Sequence, residues 1–111
     1  MKKMKRIVLT VTILALFFTG CATGGGNEIA VVSREDGSGT RGAFIELFGI
    51  EEKDANGNKV DNTTDEAIVV NSTSIVMTTV AGNKNSVGYI SLGSLNDTVK
   101  AVKVDGIEPT V

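Results

Sequence analysis

The sequence predicts an α/β fold, because short apolar runs typical of strands alternate with segments that have helical spacing. A buried strand is predicted at residues 29–32, and the apolar spacing of residues 43–48 indicates a helix that Gly49 closes. A second helix is predicted to begin after a serine cap at Ser72. We therefore expect a mixed sheet flanked by helices, within a single domain over residues 29–111.

The remaining segments predict two further strands and the connections between them. Residues 87–91 and 99–104 have the β-branched composition of strands, and Asp105-Gly106 is a hairpin turn dipeptide. Residues 51–66 are polar and have no apolar period, so we expect a solvated loop there.

Residues 1–20 have the pattern of a secretory signal peptide. A basic segment precedes an apolar run at residues 7–18, which would span about 18 Å as a helix against a bilayer core of roughly 30 Å. Cys21 follows Phe18-Thr19-Gly20 directly, and this resembles a bacterial lipobox. The resemblance implies a lipid on Cys21, a flexible tether over residues 21–28 and anchoring on the outer face of the cell membrane. The alternative is an ordinary free cysteine near a secretory cleavage site.

Charge and composition exclude several classes of function. Residues 21–111 contain thirteen acidic and seven basic residues, which gives a net charge of −6. This negative charge argues against binding of nucleic acid. Because the net charge is negative, an anion can be held only by hydrogen-bond donors and cations that point directly at it. The sequence has one cysteine and no histidine, so a disulfide, a Ser/His or Cys/His catalytic pair and a histidine metal site are excluded. We expect neither an enzyme nor a cofactor.

Residues 33–41, with the sequence SREDGSGTR, form the motif that points to a function. They connect the first predicted strand to the first predicted helix, so Ser38, Gly39 and Thr40 lie near the start of that helix. Unpaired backbone N–H groups and the helix dipole favour an anion at this position. Arg34 adds a permanent charge whose planar fork of donors suits an oxyanion. The motif therefore predicts an anion-binding site.

The same motif, together with residues 71–74 and 87–95, resembles the phosphate-binding proteins of the bacterial high-affinity phosphate ABC importer. The resemblance implies one lobe of a type II periplasmic-binding-protein fold, inorganic phosphate as the ligand, and the permease subunits of the transporter as partners. The phosphate ligands that it implies are Arg34, Asp36, Ser38, Gly39 and Thr40. In this pattern Arg34 is the charged clamp, and hydroxyl and backbone N–H groups complete the cradle.

Asp36 needs a separate reason, because a carboxylate repels a bound anion unless the ligand has a proton to donate. Phosphate keeps at least one proton near neutral pH, whereas sulfate has none. A site built around a ligand hydroxyl can reject the analogue that lacks it by about 10⁴-fold. Asp36 is therefore expected to select phosphate over sulfate.

One departure from the family leaves alternatives open. Full members have another lobe between the lipid anchor and this region, whereas here Gly24-Gly25-Gly26 leads almost directly to the first predicted strand. We therefore expect a second lobe alone, with impaired phosphate affinity. One alternative is a surface lipoprotein remnant that binds nothing. The other is a dinucleotide-binding domain, since residues 37–42 fit G-x-G-x-x-G and acidic residues lie about 20 residues further on, at Asp61 and Asp65.

Overall fold

The computed structural model describes residues 28–110. The predicted signal peptide, Cys21 and most of the predicted tether lie outside the described residues. Within the described range, the predicted α/β class is confirmed. The elements in chain order are β1 (Ala30–Arg34), α1 (Gly39–Leu47), β2 (Glu51–Lys53), β3 (Lys59–Asp61), β4 (Ile68–Val70), α2 (Thr73–Ala81) and β5 (Ser86–Val87), and a 3-10 turn follows at Leu92–Ser94.

A three-stranded parallel sheet organises these elements, in the order β4-β1-β5. Val32 of β1 pairs with Ile68 of β4, and Val31 of β1 pairs with Val87 of β5. Parallel neighbours require a crossover connection between them. The segment with α1 connects β1 to β4, and the segment with α2 connects β4 to β5.

Both helices begin after serine caps, as the sequence predicts for the second of them. The Oγ of Ser38 accepts a hydrogen bond from the backbone N–H of Arg41 at 3.2 Å, and the Oγ of Ser72 accepts one from Ile75 at 3.2 Å. The first helix starts about one turn earlier than its apolar spacing indicates, because that turn is polar. Neither of the two described helices has the length and hydrophobicity that crossing a membrane requires.

The core of the described residues is small and includes the contact between β1 and α2. Val32, Ile45 and Val76 are the buried apolar side chains of residues 28–110. Gly88 permits the close packing, because a Cβ at this position would lie 2.9 Å from Cγ1 of Val76 and 3.2 Å from Cγ2 of Val80. Any larger residue there would have to displace the α2 side chains from the core.

The prediction of a solvated loop over residues 51–66 is wrong in part, because β2 and β3 pair there as an antiparallel hairpin. The Oδ1 of Asp54 organises the turn by accepting hydrogen bonds from the backbone N–H groups of Asn56 and Asn58, at 2.8 and 2.9 Å. Gly57 completes the turn with a φ of +80°, which glycine adopts without strain. These strands are mostly exposed, so no burial pattern in the sequence reveals them.

The predicted strand at residues 99–104 is also wrong. In the described part of the chain, these residues join no sheet and form only a bridge between Val104 and Ile107. The predicted turn at Asp105-Gly106 is confirmed by φ values of +51° and +78°. Composition favours a strand over residues 99–104, but composition does not supply the neighbouring strand that a hydrogen-bonded ladder needs.

Candidate anion-binding site

The motif lies at the carboxyl edge of the parallel sheet. β1 ends at Arg34 and leads into α1, which begins at Gly39. β4 ends at Val70 and leads into α2, which begins at Thr73. Because β1 and β4 are parallel neighbours, the N-termini of α1 and α2 lie at the same edge. This is the edge at which open α/β sheets bind ligands, and two helix N-termini there favour an anion.

Arg34 is the last residue of β1, and its guanidinium contacts the start of α2. Its Nη1 donates to Oγ1 of Thr73, in the first turn of α2, across 3.4 Å. Its Nε and Nη2 donate to the two carboxylate oxygens of Glu35 at 2.9 and 3.1 Å, a bidentate ion pair. Hydrogen bonding within this pair lowers the pKa of Glu35 and raises the pKa of Arg34. The guanidinium is thus oriented at the edge of the sheet, and an incoming anion must share it with Glu35.

Ser38, Gly39 and Thr40 form the start of α1. Since the Oγ of Ser38 accepts the capping hydrogen bond, its hydroxyl hydrogen can donate to a ligand. The Oγ1 of Thr40 lies 3.3 Å from the Oγ of Ser91, in the segment after β5. A Cβ on Gly39 would meet no atom within 4 Å, so the space above its backbone is open. Gly39 and Thr40 therefore present donors to an open surface, whereas Ser38 is buried beneath them.

Arg41, to which the motif assigns no role, makes several contacts with the loop. Its Nη1 donates to the carbonyl oxygen of Arg34 across 2.6 Å, and its Nη2 donates to Oδ2 of Asp61, at the end of β3, across 2.7 Å. The Oδ1 of Asp36 lies 3.6 Å from the same Nη2, and the Asp36 side chain is fully exposed. Arg41 therefore ties the loop that carries Arg34 and Asp36 to the β2–β3 hairpin.

The ion pair between Arg41 and Asp61 is intact at neutral pH. The hydrogen bond from Arg41, with further hydrogen bonds from the hydroxyl and backbone N–H of Thr63, lowers the pKa of Asp61 from 3.8 to about 2. A carboxyl whose pKa is lower in the folded state stabilises the fold above its unfolded pKa. The stabilising contribution of Asp61 is therefore complete above about pH 4 and declines as the pH falls toward 2.

Tyr89 supports the end of β1. Its hydroxyl accepts a hydrogen bond from the backbone N–H of Arg34 at 3.0 Å and lies 2.9 Å from the Oγ of Ser33. Its ring stacks on that of Phe44, with the two centroids 4.0 Å apart. Tyr89 is the single tyrosine of the chain, but no local pattern links it to a strand end 55 residues away. The structure thus adds Tyr89 and Arg41 to the residues that form the site.

The five predicted ligands lie at the end of β1, on the short loop that follows it and at the start of α1, at the sheet edge where α2 also begins. An open cavity of about 400 Å³ adjoins this loop, and its lining includes Asp36 and Arg41 but not the other four predicted ligands. Across residues 28–110, no three His, Cys, Asp or Glu side chains are grouped so that they could hold a metal ion. The arrangement offers a guanidinium, hydroxyls and helix N–H groups, which are suited to a small oxyanion.

The sequence is similar to phosphate-binding proteins of streptococci. It is 50% identical over 119 aligned residues to phosphate-binding protein PstS 2 of Streptococcus agalactiae, an alignment that covers 100% of this chain and 40% of that protein. It is 55% identical over 80 residues to phosphate-binding protein PstS 2 of Streptococcus pneumoniae, which covers 72% of this chain and 27% of that protein. No protein-family model matches the chain. The chain therefore spans 40% or less of the length of these curated relatives.

Solved structures of phosphate-binding proteins have the same fold over part of their length. The phosphate-binding protein of a phosphate ABC transporter from S. pneumoniae is 54% identical with a TM-score of 0.70, covering 74% of this chain and 32% of that one. An ABC-type phosphate transport receptor from Vibrio cholerae is 43% identical with a TM-score of 0.66, covering 74% of this chain and 32% of that one. A putative phosphate ABC transporter substrate-binding protein with bound phosphate from Clostridium perfringens is 44% identical with a TM-score of 0.60, covering 72% of this chain and 30% of that one. By sequence and by fold, the chain is a homologue of part of these phosphate-binding proteins of phosphate ABC transporters, and its described residues have part of the periplasmic-binding-protein fold.

Proposed function

We propose that this chain binds inorganic phosphate as the phosphate-binding component of an ABC-type phosphate importer. The observation that carries the proposal is that the Arg34 guanidinium, which contacts the start of α2, lies at the same edge of the sheet as the N-terminus of α1, in a homologue of phosphate-binding proteins. The homologues described above are binding proteins by name, which supports binding in place of catalysis.

Each predicted ligand has a distinct part in the proposal. Arg34 supplies the positive charge, and the hydroxyls of Ser38 and Thr40 supply directed hydrogen bonds together with the backbone N–H groups of Gly39 and Thr40. These local donors must overcome the acidic balance of the chain, whose net charge outside residues 1–20 is −6. Asp36 accepts the proton that phosphate has and sulfate lacks, and its exposed carboxylate can reach a ligand at the loop.

We expect the phosphate affinity of this chain to be low. The family resemblance implies two lobes that close on the ligand, and we propose that residues 29–111 belong to the second of these lobes. The donors of this lobe reach the ligand from a single side. A millimolar instead of a micromolar dissociation constant corresponds to a loss of about 4 kcal/mol of binding free energy.

We also propose that the chain is a lipoprotein on the outer face of the cell membrane, where permease subunits of a transporter would be its partners. Support comes from the sequence alone, in the order of basic residues, apolar run, small residue and Cys21. In this proposal residues 1–20 are the signal peptide and residues 21–28 contain the lipidated cysteine and the tether.

A dinucleotide-binding function has weaker support. The strand that follows α1 in the sheet is β4, and Asn71 comes directly after it where a ribose-binding acidic residue would be expected. Asp61 lies in the separate hairpin and is paired with Arg41. Saturable binding of phosphate distinguishes a phosphate-binding lobe from a lipoprotein remnant that binds nothing.

Isothermal titration of the full chain in detergent with phosphate at neutral pH tests the proposal. We expect saturable heat with a dissociation constant on the order of 1 mM, and no saturation with chloride at the same ionic strength. Circular dichroism on the same sample establishes that the protein is folded. A folded chain that gives no saturable heat with phosphate would favour the remnant that binds nothing.

A further inference from the structure

Residues 89–91, which follow β5, contact the first and the last of the five predicted ligands. The hydroxyl of Tyr89 accepts a hydrogen bond from the backbone N–H of Arg34 at 3.0 Å. The Oγ of Ser91 lies 3.3 Å from Oγ1 of Thr40. A segment that contributes no predicted ligand is therefore attached to both ends of the ligand loop, at the end of β1 and at the start of α1.

At the end of β1, the hydroxyl of Tyr89 takes the place of a strand carbonyl. β1 continues to Arg34, whereas β5 ends at Val87. Backbone N–H groups of alternate residues in a strand point to the same neighbour, and the N–H of Ala30 donates to the carbonyl oxygen of Asn85, just before β5. The N–H of Arg34 therefore points to the β5 side, beyond the last residue of β5, and Tyr89 supplies the acceptor that it needs there.

The position of the Tyr89 hydroxyl is itself fixed by its surroundings. The ring stacks on that of Phe44 in α1, with the two centroids 4.0 Å apart, and the hydroxyl lies 2.9 Å from the buried Oγ of Ser33. Contacts with α1 and with β1 thus hold the same side chain. The backbone from which the Arg34 guanidinium extends is therefore oriented by a half-buried, well-packed group.

At the start of α1, the hydroxyl of Ser91 has Thr40 as its partner. Ser91 is exposed and precedes the 3-10 turn at Leu92–Ser94, but within the described residues its side chain makes no capping hydrogen bond to that turn. Either hydroxyl of the pair can be the donor. When Ser91 donates, Thr40 keeps its own hydroxyl hydrogen for a ligand, and hydrogen bonds in such a chain strengthen one another.

We propose that Tyr89 and Ser91 are positioning residues of the phosphate site, in which Tyr89 fixes the backbone of Arg34 and Ser91 orients the hydroxyl of Thr40 toward the ligand. This inference rests on the proposed function. Neither residue touches the phosphate. Their two contacts hold the charged group and the hydroxyl donor in place before the ligand arrives, so that binding requires less ordering of the loop.

The variant Ser91→Ala tests one end of the loop, because an exposed hydroxyl can be removed without changing the core. Amide NMR of the full chain in detergent, titrated with inorganic phosphate, gives the dissociation constant. We expect the affinity to fall about fivefold, the effect of one hydrogen bond. Ser91→Thr retains the hydroxyl and should retain the affinity. The matched control is Ser94→Ala, at an exposed serine of the same segment, which should leave the affinity unchanged.

The variant Tyr89→Phe tests the other end of the loop. It keeps the ring that stacks on Phe44 but leaves the N–H of Arg34 without its acceptor. We expect the phosphate affinity to fall at least about fivefold. The amide proton resonance of Arg34 should move upfield and exchange faster with water, whereas Ser91→Ala should leave this resonance of the ligand-free chain unmoved. The control Ser33→Ala removes the other hydroxyl beside Tyr89 and should retain the affinity.

Unchanged phosphate affinity in folded Ser91→Ala and in folded Tyr89→Phe would overturn the positioning role while leaving the proposed function intact. A loss in one of these folded variants alone would overturn the role of the other residue. Equal losses in Ser91→Ala and Ser94→Ala would overturn the role of Ser91, because the effect would then belong to the segment as a whole. If Tyr89→Phe does not fold, Ser91→Ala and its rescue by Ser91→Thr decide. If the unmutated folded chain does not bind phosphate, the proposed function fails first and the inference fails with it.

Discussion

Replacing Arg34 by alanine is expected to remove measurable phosphate binding from this chain. The substitution deletes the guanidinium that contacts the start of α2 at the carboxyl edge of the sheet, and it leaves the carboxylate of Glu35 without its partner. A hydrogen bond from a charged donor contributes about 1.5–3 kcal/mol, and an unpaired carboxylate adds repulsion. We expect the affinity to fall at least about thirty-fold, which takes a millimolar site beyond detection by calorimetry.

The matched control for this variant is Lys84→Ala. Lys84 lies just before β5, at the amino edge of the sheet, so the substitution removes one positive charge at the edge opposite the site. Phosphate titration of both variants should show loss for Arg34→Ala and retention for Lys84→Ala. Equal losses would mean that the total charge of the chain, and not the position of Arg34, governs binding.

The second large effect concerns selectivity, and Asp36→Asn is expected to bring the affinities for phosphate and sulfate together. An amide can donate to an unprotonated oxygen, whereas a carboxylate can only accept. We expect the ratio of phosphate to sulfate affinity to fall by at least about tenfold. Because the Asp36 side chain is fully exposed, the thermal midpoint of unfolding should hardly change.

Competition titrations with phosphate and sulfate measure this ratio directly, and Asp97→Asn serves as a control at an exposed acid outside the site. Equal affinity of the unmutated chain for phosphate and sulfate would contradict the role of Asp36. If Asp36→Asn still binds phosphate much more tightly than sulfate, the selectivity must come from another residue of the site.

The parts of the fold that the sequence predicts are those with strong local signals. β1 is a short apolar run, and α1 and α2 combine apolar spacing with serine caps at Ser38 and Ser72. The motif between β1 and α1 could be placed at a strand-to-helix turn for the same reason. The alternation of these elements was sufficient for the α/β class.

The parts that escape prediction depend on contacts between distant residues. The β2–β3 hairpin is polar and exposed, and its strands are stabilised by pairing with each other and by the Asp54 turn. Arg41 and Asp61 lie 20 residues apart, and Tyr89 and Arg34 lie 55 residues apart. Patterns in the local sequence do not indicate contacts between residues so far apart. The residues that position the loop could therefore be found only from the structure.

The central claim is that phosphate binds at the start of α1, and amide NMR of the full chain titrated with phosphate tests it most directly. We predict concentration-dependent shifts at residues 36–42 that saturate with a dissociation constant on the order of 1 mM, while amides near the amino edge of the sheet stay unmoved. The absence of any shift at residues 36–42 in excess phosphate, or equal shifts along the whole chain, would contradict the claim.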